Sequence, residues 1–287
     1  MAGGRELTRA ALAIACAAAG LASAGDDARW YVQVDNDLFF DTDRWYSSGV
    51  RVARVEGALE FAIDQEIYSP DAKHPVLVDR APAARILGSA AYHWRDAAAW
   101  QTLELALGTR GPAALGRQAT NLFHHLVRAP FVDWSLQLPS RVDAQVAFVR
   151  SDSFASVLKL HYGALAGNEM TFAHAGIELR CGAAPSMASQ LLRYAATPPW
   201  PVAPASGWSV YGGASVRVVA RNALLSRAYI PEAPAPQLRR EVGRLVAGVA
   251  LTRPWASLDF SLVHETREFA EQRHPQHFGS LAVHVPF

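Results

Sequence analysis

Hydrophobic and polar residues alternate with a period of two along much of the chain. Over 280–287, every second position from Leu281 to Phe287 is apolar, and the alternate positions include Ser280 and His284. The same alternation recurs at 32–35, 102–108, 142–148, 209–218 and 257–262. This period is typical of a β-strand with one apolar and one polar face. The pattern therefore predicts an all-β chain.

One segment, from about Ala113 to Arg128, departs from this period. Its residues separate at helical spacing into an apolar and a polar face, namely Leu115, Ala119, Leu122 and Leu126 against Arg117, Asn121, His124 and Arg128. Pro112 suits the start of a helix and Pro130 suits its end. We expect a short amphipathic helix that plugs the lumen, caps a rim or carries a functional group such as His124. A solvated His124 is the competing interpretation, because exposed histidines are common.

The first residues have the three parts of an export signal. Two arginines begin it, an Ala/Leu/Ile-rich run follows, and the A-x-A sequence Ala22-Ser23-Ala24 ends it. This order is that of a secretory signal peptide. The acidic, glycine-containing stretch that follows disfavours a buried N-terminal helix. We predict a signal peptide at 1–24 and a mature domain at 25–287.

The export signal favours a transmembrane β-barrel of the bacterial outer membrane over a soluble β-sandwich, which would show the same alternation. The chain ends on Phe287, and aromatic residues lie at predicted strand ends, as in the aromatic girdles of such barrels. At about 20 residues per strand and turn, the mature length predicts about 12 antiparallel strands. Two proline-rich stretches, 181–206 and 231–236, are predicted to be long loops outside the cell.

The composition fits a barrel and excludes other classes of protein. Hydrophobic residues make up 51% and charged residues 18% of the 287 residues, with a formal net charge of +1. Disorder needs low hydrophobicity and high net charge, and nucleic-acid binding needs an excess of basic charge, so we predict neither. The mean hydropathy of +0.04 is explained by a barrel, because its apolar outer band and polar lumen average out. Cys181 would be the one cysteine of the mature chain, which excludes an internal disulfide.

A polar cluster lies near the start of the predicted mature chain. It consists of Asp35, Asn36, Asp37, Asp41, Thr42 and Asp43. Hard cations such as Ca²⁺ take carboxylate and carbonyl oxygens, so the cluster is a candidate metal site. A polar turn with Asx and capping interactions is the alternative, since the glycine and closing glutamate of an EF-hand are missing. Asp35 and Asp37 share the parity of Gln33, which predicts a position toward the lumen or the rim.

Several motifs occur together in one order along the chain. They are DNDLF at 35–39, TDRWYSSGVR at 42–51, QEIYSP at 65–70, DR at 79–80, the segment 108–118, His124, Trp134, RNALL at 221–225 and HFGS at 277–280. This series resembles the lipid A 3-O-deacylases, the LpxR-like outer-membrane enzymes, over nearly all of the mature chain. The resemblance implies a 12-stranded barrel with its active site at the outer-leaflet side of the wall. It also implies Ca²⁺-dependent hydrolysis of the 3′-linked acyloxyacyl group of lipid A.

The family's functional residues carry over onto matching positions of this sequence. By resemblance, His124 acts as general base on a water, while Asn36 and Asp37 help to hold the metal and the substrate. Ser47 falls at a position where the family has a hydroxyl, often that of Thr. These residues are the predicted catalytic set, and Asn36 and Asp37 are the predicted metal ligands. Lipid A or lipopolysaccharide and membrane lipid are the implied partners of a protein that we expect to be a monomer.

Three residues are assigned to substrate binding on the same basis. Lys73 lies in a loop where the family places a basic residue, and it would contact a lipid A phosphate. Arg80 and Gln118 belong to matching motifs. Asp133 stands where the family usually has a glycine before Trp134, and it is the candidate acidic partner of His124.

Two other functions remain open. In a different outer-membrane lipid esterase or phospholipase, Ser47 or Ser48 would be the nucleophile and His124 its base, although the G-x-S-x-G elbow is absent. In a non-enzymatic barrel, such as a pore, replacement of His124 would leave lipid A unchanged. The number of ordered motifs favours the deacylase over both.

Overall fold

The computed structural model of the protein describes residues 28–40, 42, 44–71, 78–96, 99–127, 132–154, 157–182 and 206–286. Some predicted features lie outside these residues. They are the signal peptide, Lys73, and the members Asp41 and Asp43 of the polar cluster.

Twelve antiparallel strands form one closed barrel within the described residues. The strands are β1 (Ala28–Asn36), β2 (Trp45–Glu56), β3 (Leu59–Ser69), β4 (Ala83–Arg95), β5 (Ala99–Arg110), β6 (Arg141–Ser153), β7 (Leu158–Gly167), β8 (Met170–Gly182), β9 (Gly207–Asn222), β10 (Glu241–Arg253), β11 (Ala256–Glu265) and β12 (Gln276–Pro286). Each strand pairs with its neighbour in sequence, and β1 closes the sheet against β12. The predicted barrel of about 12 antiparallel strands is confirmed. Closure pairs every strand edge, as a lipid environment requires.

Side chains alternate between the outer face and the lumen along the strands. On β3, Leu59, Phe61 and Ile63 are between 45% and 61% exposed, whereas Glu60 and Ala62 between them are buried. Apolar side chains this exposed suit the hydrocarbon of a bilayer and would be unfavourable in water. The apolar residues at alternate positions therefore face outward, and the polar residues between them face the lumen.

The lumen is filled with paired charges and aromatic rings. Glu265 accepts hydrogen bonds from Arg217 and Arg244, and Arg51 donates to Asp64. A core cluster adds apolar and aromatic side chains from several strands, among them Tyr46, Tyr68, Phe172, Tyr211 and Phe278. The buried charges of these groups are tolerated because carboxylates and guanidinium groups are paired. This packing disfavours the interpretation of the chain as an open pore.

The strand connections divide between two ends of the barrel. The terminal end holds both Ala28 and Pro286, together with the turns at 57–58 and 254–255. The loop end holds the connections 37–44, 70–82, 111–140, 168–169, 223–240 and 266–275. Longer loops of outer-membrane barrels face outward from the cell, which makes the loop end the extracellular end. The proline-rich stretch 231–236 lies at this end, as predicted.

β8 ends at Gly182 and β9 begins at Gly207. The other proline-rich stretch, predicted as a long loop over 181–206, lies almost entirely outside the described residues.

Candidate active site

The one α-helix of the described residues is α1 (Gly116–Val127), which follows a 3-10 turn at Pro112–Ala114. Pro112 is the first residue of this turn, where a backbone N–H would have no hydrogen-bond partner within the turn. Proline lacks that N–H, so nothing is lost. Gly111 has a φ of 81°, and a side chain there would collide with the backbone at 138–139. These residues explain why a helix begins here, as the sequence predicts from about Ala113. Among the described residues, no helix has the length and apolar character that crossing a membrane would require.

The two faces of α1 have different surroundings. Gly116, Thr120 and His124 recur every four residues on one face and are buried, with His124 only 6% exposed. On the opposite side, Leu122 and Leu126 are each 64% exposed. The helical spacing is confirmed, but the interpretation of His124 as a solvated side chain is wrong.

The buried face of α1 rests on the outer surface of the barrel wall. Gly116 lies so close to Ala84 that an added Cβ would overlap it, and the same Cβ would come within 2.9 Å of the Trp134 ring. The Gln65 side chain donates a hydrogen bond of 2.7 Å to the carbonyl of Ala114. Ala84 of β4 and Gln65 of β3 occupy the alternate positions whose side chains face outward. The helix therefore lies on the outside of the wall and does not plug the lumen.

A row of paired residues crosses the outer wall beside this helix. Asn36 of β1 pairs with Ser48 of β2. Ser48 pairs in turn with Ile67 of β3, and Ile67 pairs with Ala84 of β4. Because neighbouring strands lie about 4.8 Å apart, the row spans about 14 Å from Asn36 to the helix contact at Ala84. Asn36 and the helix that carries His124 thus share the outer face of the wall at the loop end.

Ser47 lies at an irregularity in this row. The register of β2 and β3 shifts between Tyr46 and Ser48, which leaves Ser47 as the extra residue of a β-bulge. Its Oγ lies 2.5 Å from the Oγ of Ser69, a residue with the outward parity of β3. Bulges often re-aim side chains beside active sites. The sequence pattern does not single out Ser69, because its contact with Ser47 depends on the β2–β3 register.

Asn36 and Asp37 lie where β1 ends and a 3-10 turn begins. The Asp37 Oδ2 accepts hydrogen bonds from the Arg44 amide at 2.9 Å and from the Thr42 hydroxyl at 3.2 Å. The Asn36 Oδ1 accepts one of 2.8 Å from the Leu38 amide. These hydrogen bonds are the ones expected of a polar turn, which the sequence predicts as the alternative to a metal site.

The polar cluster is divided between the two sides of the wall. Asp35 faces the lumen, as its parity predicts, and accepts hydrogen bonds from Gln33 at 2.9 Å and from the Tyr46 hydroxyl at 2.8 Å. Asn36 has the opposite, outward parity. Asp37 is buried in the turn that joins β1 to β2. The described members of the cluster therefore do not converge on one point.

The donor chemistry of Asn36 and Asp37 fits a hard cation. They offer an amide and a carboxylate oxygen, and Ca²⁺ fills about six to eight positions with such oxygens, backbone carbonyls and water. In the part of the chain that the structure describes, no three His, Cys, Asp or Glu side chains are grouped to hold a metal ion. A Ca²⁺ held by Asn36 and Asp37 would therefore take most of its ligands from backbone carbonyls, water or the substrate.

The predicted substrate-binding residues do not meet at the outer wall. Arg80 is fully buried in the mouth of the barrel, 4.2 Å from the centre of the Tyr68 ring and 3.5 Å from Glu268. Gln118 is exposed on the face of α1 that points away from the wall, and Lys73 lies outside the described residues. The contacts of Arg80 hold the loops of the mouth together, and its assignment to substrate binding stays a prediction.

Asp133, the candidate acidic partner of His124, lies in a turn beside the helix. The Ser135 amide donates a hydrogen bond of 2.8 Å to its Oδ1, and this bond lowers the pKa of the Asp133 carboxyl below its usual value. Asp133 is exposed, whereas His124 is buried. The pairing of these two residues stays a prediction.

The outer wall at the loop end combines groups that ester hydrolysis needs. His124 is buried on the same side of α1 as Gly116, which packs against the wall, and Ser47, Ser69 and Asn36 lie on the outer face of that wall. A neutral imidazole can take a proton from water, while hydroxyl and amide donors can stabilise an oxyanion. A site on this outer face would be reached from the lipid beside the barrel.

Known proteins resemble this chain in sequence pattern and in fold. A family model described as outer membrane protein LpxR matches residues 7–287. The solved structure of LpxR from Salmonella typhimurium has a TM-score of 0.76 at 18% identity, over 90% of this chain and 100% of that chain. The translocator domain of the autotransporter NalP from Neisseria meningitidis matches 100% of this chain and 97% of its own, with a TM-score of 0.38 at 11% identity. No curated protein matches the sequence.

Proposed function

Since the chain belongs to the LpxR family and is thus an outer membrane lipid A deacylase, we propose that it hydrolyses the ester of the 3′-linked acyloxyacyl group. The observation that supports this reaction is the burial of His124 on the face of α1 that is turned to the outer wall. Lipid A lies in the membrane beside such a wall. Its ester can therefore reach this face without entering the lumen.

In the proposed reaction, His124 acts first as a general base. Its imidazole takes a proton from a water whose oxygen bonds to the ester carbonyl carbon. The tetrahedral intermediate then collapses, the bond between the acyl carbon and the sugar oxygen breaks, and the imidazolium gives its proton to that leaving oxygen. The products are a free acyloxyacyl acid and a lipid A hydroxyl, so every atom and proton is accounted for.

Asn36 and Ser47 are the proposed donors to the oxyanion of that intermediate. Both lie on the outer-wall face, and the Ser69 hydroxyl at 2.5 Å orients the Ser47 hydroxyl. A positioned donor of this kind contributes about 10²–10³ in kcat.

Asn36 and Asp37 are also the proposed holders of Ca²⁺. The hydrogen bonds from Arg44 and Thr42 fix the direction of the Asp37 carboxylate before any ligand binds. A bound cation would supply Lewis-acid polarisation of the ester carbonyl. The test of this step is the dependence of the reaction on added Ca²⁺ after treatment with a chelator.

Mass spectrometry of lipid A incubated with the purified protein tests the proposal. We expect the wild type with Ca²⁺ to remove one acyloxyacyl unit, and His124→Ala to be slower by about 10²–10⁴-fold. His125→Ala is the matched control, because His125 is the exposed neighbour on the same helix. An unchanged lipid A mass with the wild type under every condition would refute the function, and full activity of His124→Ala would refute the mechanism.

A serine esterase is the second candidate, favoured by the burial of Ser47 and its short contact with Ser69. In that reaction the Ser47 Oγ attacks the ester and forms an acyl-enzyme, which water then hydrolyses. Brief mixing with lipid A followed by intact-protein mass spectrometry separates the two routes. An added acyloxyacyl mass on the protein would favour the serine route, and turnover without it would favour direct attack by water.

A further inference from the structure

We propose that His264 and His277 form a binding site for a divalent transition-metal ion such as Zn²⁺ on the outer wall of the barrel. The two residues are directly paired between β11 and β12 near the loop end. Their Nδ1 atoms lie 3.4 Å apart, and their ring centres lie 4.7 Å apart. The site is separate from the proposed hydrolysis and does not depend on it.

The separation of the two nitrogens fits a shared metal ion. Tetrahedral Zn²⁺ with Zn–N bonds of about 2.0–2.1 Å holds two ligand nitrogens about 3.3–3.4 Å apart. Directly paired residues of antiparallel strands bring their side chains together on one face, so the backbone already orients both rings. Little rearrangement of His264 or His277 is therefore needed for both Nδ1 atoms to bind one ion.

The surroundings of the pair leave it accessible. Both rings have the outward parity of their strands and are partly exposed. The Phe40 ring lies 5.4 Å from the His277 ring and covers one side of it. Two positions further along β12, Gly279 pairs with Asn36. The metal site thus adjoins the row that carries the proposed active site but does not share its residues.

The charge near the pair is balanced. Arg44 is the cationic side chain that acts electrostatically on His277. Its guanidinium forms an ion pair of 3.2 Å with Asp71 and stacks 4.6 Å from the centre of the Trp45 ring. These contacts limit the repulsion that a bound cation would meet.

The donor type separates this site from the proposed Ca²⁺ site. Imidazole nitrogens suit Zn²⁺, Cu²⁺ and Ni²⁺, whereas Ca²⁺ prefers oxygen ligands such as those of Asn36 and Asp37. With two ligands from the protein, a tetrahedral ion keeps two positions for water or for an anionic oxygen, such as a lipid phosphate. Without a metal, the same two Nδ1 atoms are in hydrogen-bonding contact at 3.4 Å.

Titration of Zn²⁺ into the tag-free, detergent-solubilised protein tests the proposal, with excess Ca²⁺ present throughout. We expect one equivalent to bind, and His264→Ala and His277→Asn each to weaken binding at least about tenfold. Bound Cu²⁺ should show two nitrogen couplings in its electron paramagnetic resonance spectrum. His125→Ala and Asp37→Asn are the controls and should bind Zn²⁺ as the wild type does.

Other outcomes would overturn the proposal. Unchanged Zn²⁺ binding in both variants would place the metal elsewhere, provided that heat-modified gel mobility shows both barrels to be folded. The absence of Zn²⁺ binding by the wild type would reduce the pair to an ordinary hydrogen bond. Loss of binding in Asp37→Asn would show that the oxygen site had been measured instead.

Discussion

Burial of a histidine on a loop helix requires a reason, because an imidazole loses hydration when it leaves water. His124 is 6% exposed, while its neighbour His125 is exposed. The difference arises because α1 turns one side to the barrel wall and the other to its surroundings. A role in proton transfer beside that wall would explain why His124 is buried.

Ser47 permits a prediction at the level of one hydroxyl group. If it donates to the oxyanion, Ser47→Ala should lower kcat by about 10²–10³, whereas Ser47→Thr should retain most activity because the hydroxyl stays. Ser69→Ala should have a smaller effect, because Ser69 acts through its 2.5 Å contact with Ser47. Initial rates on lipid A measure all three variants. Wild-type kcat in Ser47→Ala would rule out this role.

At the scale of the element, α1 is held to the barrel because its backbone at Gly116 packs closely against the wall. A Cβ at Gly116 would overlap Ala84 and crowd Trp134. We therefore expect Gly116→Val to displace the helix and abolish deacylation without unfolding the barrel, since the strands do not depend on α1 for their pairing.

The matched control for this prediction is Gly88→Ala. An added Cβ at Gly88 meets its nearest atom at 3.9 Å, which is an ordinary contact. Activity should persist in the control, and gel mobility with and without heating should report a folded barrel in both variants. An active Gly116→Val would mean that the helix can act without resting on the wall.

The apolar face of the same helix supports a prediction about membrane contact. Leu122 and Leu126 are each 64% exposed and point away from the wall. Burial of one such side chain in lipid contributes about 1.5–3 kcal/mol, so the double variant Leu122→Asp/Leu126→Asp should act at least about tenfold more slowly on lipid A in membranes. Rates on lipid A in detergent micelles should fall much less. Equal losses in both assays would contradict an interfacial role.

At the scale of the whole molecule, the lumen charges decide stability. Glu265 accepts hydrogen bonds from Arg217 at 3.0 Å and from Arg244 at 2.8 Å, and all three residues are buried. Glu265→Ala leaves two buried cations without this carboxylate and should lower the free energy of unfolding by about 3–5 kcal/mol. Glu56→Ala removes a more exposed ion pair with Arg54 and should change it by less than about 1 kcal/mol. Urea unfolding in detergent measures both, and equal effects would contradict the importance of burial.

The fold was more predictable than the site. A period of two indicates both the strand and its two faces, so the barrel and its approximate number of strands follow from local pattern. For the site, the family motifs indicate His124, Asn36 and Ser47, but they also indicate Arg80, whose burial becomes apparent only when loops from distant segments pack over it.

The sequence by itself determined the alternating strands, the short amphipathic helix and the family to which the chain belongs. Each of these depends on residue spacing or on motifs read along one stretch of chain. The tertiary structure decided that α1 lies outside the wall, that Ser47 meets Ser69, and that His264 meets His277. These contacts join segments through strand register and barrel closure, and register is a property of paired strands that no single segment contains.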